Sequence, residues 1–387
     1  MYGVKLLRRS PARALLGALV AAALLAPAAV PTAQAMPDAR RTSGPTTEAV
    51  AARPSHSAPA RVRVPEDGYG FADGMSILSL SPRALKRELD AVALTGATWL
   101  RVPVNWSQIE QRPGRYQWAT LDRVVRAARR HDLTILANVS YAPPWARAFF
   151  SDASAPPQDP ATYAAFCERV AKRYRTRIRH WEIWNEPNLD AFFGGSRTHA
   201  SAPERYTRLL KPAYRAIHRA QRRPVVVAGA LSAATNSSTS YSMSRFVERM
   251  YAAGARGHFD ALALHPYTGS GTETARQRVY RDVRRVRRLM VDHRNQGKQI
   301  WWSELGHSTW TGGVSLQRQR ALILDQLRAA ADRSYVGPAF VYAIRDSGND
   351  PAAVRDNFGS LLTHDFEPKP LARSLHRRAS PRPTSGT

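Results

Sequence analysis

The chain has 387 residues, of which 43% are hydrophobic and 22% charged, enough apolar material for one large packed domain and too much for a chain that stays unfolded. A formal net charge of +27 keeps polyanion binding open as a function class. The one cysteine, Cys167, excludes an internal disulfide framework.

In chain order, "MYGVKLLRRSPAR" is basic, "ALLGALVAAALLAPAAV" is apolar and "AQA" at Ala33–Ala35 offers small residues for cleavage. Residues 1–35 therefore read as a signal peptide. A membrane anchor is the competing reading, but the unbroken apolar run falls short of the roughly 20 residues a spanning helix needs. Residues 36–65 mix Pro, Ser, Thr and Ala without an apolar period and read as a disordered linker; residues 379–387 read as a flexible tail. The expected domain is 66–378.

From Gly68 onward, short strand-like runs alternate with amphipathic segments. The runs are 69–75, 98–104, 133–140, 180–185, 225–231, 260–267, 299–305 and 339–344. Helix signals stand between them. In "SPRALKRELDAVALTG", Ser81 is placed as N-cap, Pro82 opens the helix, Leu85, Leu89 and Val92 share a face, and Gly96 stops it. "ATLDRVVRAARRHD" and "SLQRQRALILDQLRAAADR" follow the same scheme. In "YAAFCERVAKRY", Cys167 falls on the apolar face, where a buried thiol is expected. The densest basic run, Arg276 to Arg294, holds Val279, Val283, Val286 and Met290 at helical spacing, so its arginines belong to a solvated face. Eight strand–helix alternations predict a (β/α)8 TIM barrel. A doubly wound open sheet is the alternative, but no Gly-rich phosphate loop follows any strand.

In such a barrel, side chains that do chemistry stand at the C-terminal ends of the strands. The polar residues there are Arg101, Asn105, Asn138, Tyr141, Asn185, Glu186, His265, Tyr267, Glu304, Arg345 and Asp346. Only two are glutamates, on strands four and seven, which face each other across an eight-stranded ring. A converging carboxylate pair suits acetal cleavage: one acid protonates the departing oxygen, and the other attacks or stabilises the oxocarbenium-like centre. Trp301 and Trp302 are candidates for an apolar wall, and Arg101 and Tyr267 for donors that hold one acid ionised. Trp106, Tyr141, Trp145 and Trp310 are candidates for stacking on sugar faces, with loop or core packing as the equal alternative. Strand alternation is taken to turn Glu182 away, as a structural residue. Asp73 reads equally as turn residue or ligand. His265 and His307 show no close metal-ligand spacing, so no metal is expected.

"WEIWNEPNLDAFF" with "WWSELGHST" resembles glycoside hydrolase clan A, nearest its β-xylosidase/α-iduronidase branch and next its cellulase-like branch. The resemblance runs from about residue 68 to 375. It implies that Glu186 is the acid/base, Glu304 the nucleophile and Asn185 the ligand of the sugar 2-hydroxyl. It further implies that Arg101 orients the nucleophile and that His265 and Tyr267 line the sugar site. A retaining outcome follows, with carboxyl groups about 5–5.5 Å apart. Many clan members end strand eight with a Trp; here "VYAIRDSGND" is expected to put Arg345 or Asp346 in its place, leaving room for a charged sugar.

The expectation is an enzyme, an exported or envelope-associated glycosidase. It would act on an oligo- or polysaccharide of plant or microbial origin without cofactor, nucleic-acid partner or stable membrane insertion after signal cleavage. A barrel that binds glycan without turnover, and an anion-binding surface protein, are the alternatives.

Overall fold

The computed structural model describes residues 62–269, 271–350 and 359–376; the expected signal peptide, most of the linker and the tail lie outside the described residues. Eight strands close into one parallel barrel in sequence order. They are β1 (Tyr69–Ala72), β2 (Trp99–Asn105), β3 (Thr134–Ser140), β4 (His180–Ile183), β5 (Val225–Ser232), β6 (Ala261–His265), β7 (Ile300–Leu305) and β8 (Val336–Tyr342). Closure is made by β1 lying parallel to β8, with Tyr69 opposite Ala339 and Ala72 opposite Tyr342.

A helix follows each strand: α1 (Pro82–Ala93), α2 (Ala119–Arg130), α3 (Pro160–Arg173), α4 (Ala202–Ala220), α5 (Met243–Ala252), α6 (Glu273–Asp292), α7 (Leu316–Ala331) and α8 (Pro370–His376). Five of them start on a side-chain cap. Ser81, Asp159, Ser242, Thr272 and Ser315 each accept a hydrogen bond from a backbone N–H of the first turn. A cap of this kind contributes about 1 kcal/mol. The expected apolar faces are the buried ones: Leu85, Leu89 and Val92 on α1, and Val279, Val283, Val286 and Met290 on α6. Arg278, Arg281, Arg284, Arg285 and Arg288 stand exposed on the opposite face of α6. Cys167 is fully buried, and burial raises its thiol pKa, so it is an inert core residue.

The core has two layers. The larger lies between strands and helices. The smaller fills the ring with Ala72, Leu136, Val227, Ala230, Ala263, Trp301 and Phe340, and with Trp99 and Tyr342 packed against it. Its floor is aromatic, with Trp99 edge-on to Trp301 at 5.3 Å and to His180 at 4.8 Å. Ahead of β1, Val62 and Val64 pack on the larger layer and Arg63 pairs with Asp332 at 2.8 Å, so residues 62–65 are part of the folded barrel. Among the described residues no helix is long and apolar enough to cross a bilayer.

Candidate active site

Two breaks in strand regularity shape the barrel mouth. In β7, Trp302 and Leu305 both face the helical layer although three positions separate them, and the register against β8 slips between them. The slip is a β-bulge, and it turns Glu304 inward, where strict alternation from Trp302 would not sustain the pattern. In β5, the register against β6 shifts between Ala228 and Leu231, around Gly229 at φ +96° and Ala230 at φ +53°. The displaced carbonyl of Ala230 accepts the Glu186 amide at 3.0 Å. Past β4, Trp184 and Glu186 take positive φ, +67° and +46°. The Trp184 amide donates to Val139, and the Trp184 carbonyl accepts Asn138 Nδ2 at 2.6 Å. A strained, fully tethered exit is a common way of aiming a functional side chain.

The two glutamates meet at this mouth, 8% and 9% exposed. A carboxylate oxygen of each, together with a ring nitrogen of His265, lies within 4.8 Å of the others. That matches the short spacing of retaining glycosidases and falls below the roughly 6.5–9.5 Å of inverting ones. The surroundings differ between the two acids. Glu304 accepts from Arg101 Nη1 at 2.5 Å and from the Tyr267 hydroxyl at 2.7 Å. Glu186 Oε1 lies 2.9 Å from His265 Nδ1, which is 3.5 Å from Glu304. Burial first, then the charge of Glu304, holds the Tyr267 pKa well above its ordinary value, so Tyr267 remains a donor. Burial opposes the Arg101 charge, but Glu182 and Glu304 outweigh it and keep the guanidinium protonated.

Arg101 organises the floor of the site. Its Nε donates to Glu182 Oε2 at 2.6 Å, its Nη1 to Glu304 and its Nη2 to Asn185 Oδ1 at 2.8 Å. Tyr141, at φ +63°, sits within electrostatic reach of both catalytic candidates, and burial followed by their charges raises its pKa. Tyr342 closes β8 and is partly exposed on the inner layer.

Other expected site residues are placed differently. Trp106 is fully buried: it donates to Glu110 at 2.7 Å and stacks on Phe166 at 5.3 Å, so no sugar can reach its face. Trp145 packs edge-on to Trp106 and donates to the Glu110 carbonyl at 2.9 Å, keeping partial exposure. Trp310 is partly exposed beyond β7. Asp346 is committed to the buried Lys369 at 2.5 Å, and Arg345 turns to Glu88 at 2.6 Å. Neither takes the strand-eight position; the residue ending that strand is the aromatic Tyr342. Trp301 lies in the barrel floor, whereas Trp302 faces outward and stacks on Tyr280 at 5.7 Å, so the pair is not one wall. Asn105 caps the turn Trp106–Ile109. Asp73, buried just past β1, accepts from Ser76 at 2.8 Å. Glu182 does not turn away: four positions before Glu186 it shares the inward face, fully buried, with Arg101 and Asn138 as donors. Strand alternation puts positions separated by an even number on one face, so the expected outward orientation of Glu182 does not hold.

Among the described residues, Glu186, His265 and Glu304 are the one His/Cys/Asp/Glu group spaced to hold a metal ion. His265 Nδ1 lies against Glu186 Oε1 and Glu304 is held by Arg101 and Tyr267, while His265 Nε2 is buried without a hydrogen-bond partner. His307 is tied to Thr268 and the Gly269 carbonyl, and burial lowers its pKa to about 4.

A closed parallel barrel with two unlike carboxylates converging at the strand ends defines a protein of the glycoside hydrolase type. Residues 64–337 match the model of the cellulase family (glycosyl hydrolase family 5), and the chain belongs to that family. No curated protein matches the sequence. Among solved structures, a family 39 glycoside hydrolase from Bacteroides cellulosilyticus WH2 superposes with TM-score 0.61 at 19% identity, over 82% of this chain and 64% of that one. A monomeric β-xylosidase from Caulobacter crescentus CB15 gives TM-score 0.61 at 19% identity, over 82% and 69%. A family 10 protein from Paenibacillus barcinonensis gives 0.53 at 16% identity, over 80% and 94%. The chain thus spans about two thirds of the length of those first two structures, and the likeness is one of fold. Both branches suggested by the motifs are represented.

Proposed function

We propose that the chain is an exported retaining glycosidase. Glu186 gives a proton to the departing glycosidic oxygen while a Glu304 oxygen bonds the anomeric carbon and the carbon–oxygen bond to the leaving group breaks. Glu186 then takes a proton from water, whose oxygen displaces Glu304 from the same carbon. The observation that carries this reading is the short separation of two carboxylates with unlike partners, a cation and a phenol on Glu304, an imidazole on Glu186. Asn185, held by Arg101 through its oxygen, keeps its amide nitrogen for a sugar hydroxyl.

The substrate is an oligo- or polysaccharide of plant or microbial origin. Family membership and the β-xylosidase likeness support testing aryl β-glucosides and β-xylosides first. On the wild-type protein, a 2-deoxy-2-fluoroglycoside of the sugar that is turned over should label Glu304, located by peptide mass spectrometry. A label on another carboxylate refutes the assignment; an absence of turnover across the panel favours a glycan-binding barrel. Export is supported by the leader alone, and N-terminal sequencing of protein from the medium should begin at Met36. The five exposed arginines of α6, and a net charge of +27 that falls only by four, to +23, once Lys5, Arg8, Arg9 and Arg13 leave with the signal, support contact with an acidic glycan or envelope polymer. Retention on a polyuronate resin should then fall steeply between low and moderate salt.

A further inference from the structure

Glu182 is the acid that the reaction scheme leaves unused. It is 0% exposed, deeper than either catalytic candidate. One oxygen, Oε2, takes both Arg101 Nε and Nη2 at 2.6 Å and Asn138 Nδ2 at 2.8 Å. The other, Oε1, has no hydrogen-bond donor. A buried carboxylate with one oxygen unsatisfied costs stability, and well-packed apolar residues commonly do as well or better than a buried ion pair. Its placement therefore calls for a reason other than stability.

We propose that Glu182 is a positioning residue for Glu304, acting through Arg101. It fixes the rotation of the guanidinium and divides its charge between two carboxylates, leaving Glu304 ionised but still able to attack. This rests on the reading of Glu304 as nucleophile. The geometry supports it because Nε serves Glu182 and Nη1 serves Glu304, while Nη2 lies between Glu182 at 2.6 Å and Asn185 at 2.8 Å. Without Glu182, nothing else holds the Nε edge, and the whole positive charge falls on Glu304. A nucleophile bound too tightly by a cation is a poorer one. The charged and titratable groups facing this cluster are Arg101 from β2, Tyr141 just past β3, Glu186 past β4, His265 at the end of β6, Tyr267 beyond it, Glu304 from β7 and Tyr342 at the end of β8. Tyr206 of α4 adds to them: it feels the Glu182 charge and donates to the Ile183 carbonyl at 2.9 Å.

The test is Glu182→Gln. The amide keeps the shape and an acceptor for Arg101, and its NH2 occupies the side where Oε1 meets no donor, so folding should survive. We expect kcat/KM to fall about 10- to 100-fold. The acidic limb of the kcat/KM–pH profile should move about one pH unit lower, since an undivided Arg101 charge favours the ionised nucleophile. The basic limb should stay in place. Glu182→Asp, which keeps the charge, should restore the position of the acidic limb even at a reduced rate. Asn138→Ala removes the competing donor to Glu182, strengthens its hold on Arg101 and should move the acidic limb upward; it tests the idea if Glu182→Gln fails to fold. Superimposable profiles for wild type and Glu182→Gln, or the same limb movement in Glu182→Asp, overturn the inference. Labelling of Glu304 in wild type separates the two ideas: a labelled Glu304 with an unmoved Glu182→Gln profile refutes only the positioning role.

Discussion

Gly229→Ala should injure the fold and the site together. Gly229 sits at φ +96° in the β5 bulge, and an added Cβ would stand 2.8 Å from the Ala263 carbonyl oxygen, 3.3 Å from Leu262 Cδ1 and 3.4 Å from Leu231 Cγ. The nearest of these is backbone of the neighbouring strand and cannot rotate aside. Left-handed backbone costs an L-residue about 1–2 kcal/mol. Forcing an extra methyl into a packed strand interface costs about 1–3 kcal/mol more. A loss of about 2–5 kcal/mol is expected, lowering Tm by about 3–8 °C for a domain of this size. Relief of the clash requires β5 to move, and β5 carries the Ala230 carbonyl that holds the Glu186 amide at 3.0 Å. The surviving folded protein should accordingly lose kcat as well. Urea denaturation followed by tryptophan fluorescence, with kcat measured on protein verified as folded, checks both parts. Stability within about 0.5 kcal/mol of wild type would refute the reasoning, because surface-like tolerance is incompatible with a backbone contact.

Glu186→Ala should lower kcat/KM about 10²- to 10⁴-fold on substrates with poor leaving groups, while dinitrophenyl glycosides, which depart without a proton, react far less slowly; equal losses on both would remove the acid role. Lys369→Met strands the Asp346 carboxylate, now 2.5 Å from the ammonium, and the Gly359 carbonyl, at 2.6 Å. It should cost about 3–5 kcal/mol in chemical denaturation, largely regained in the double variant with Asp346→Leu. Asp73 is raised to about 7, by burial first and then by the charge of Glu88. A raised acid pKa stabilises the fold at low pH, and that contribution is lost as pH rises towards 7. The slope of stability between pH 5 and 8 should therefore be flatter in Asp73→Asn than in wild type, and equal slopes would contradict it.

The barrel was legible because its parts are local. Periodicity of 2 and 3.6, Ser and Thr caps, and eight alternations are properties of neighbouring residues, and the strand positions agree to within a few residues of those expected. Glu186 was legible from its motif and Glu304 from its place at a strand end. The aromatic candidates were not: Trp106 and Trp145 are similar in sequence setting, yet the first is sealed by Phe166 and Tyr163 while the second keeps an open edge. Asp346 looked like a site residue until Lys369, 23 positions later in the chain, was seen to claim it.

By itself the sequence determined the architecture and named the two acids, since hydrophobic period and a dense motif act over a few residues. Tertiary structure alone decided how those acids differ. The bulges that aim Glu304 and seat Glu186, and the guanidinium shared among Glu182, Glu304 and Asn185, arise from strands brought together across the ring. The field at a buried carboxylate depends on distances of a few ångströms between residues far apart in the chain, and no local pattern encodes those distances.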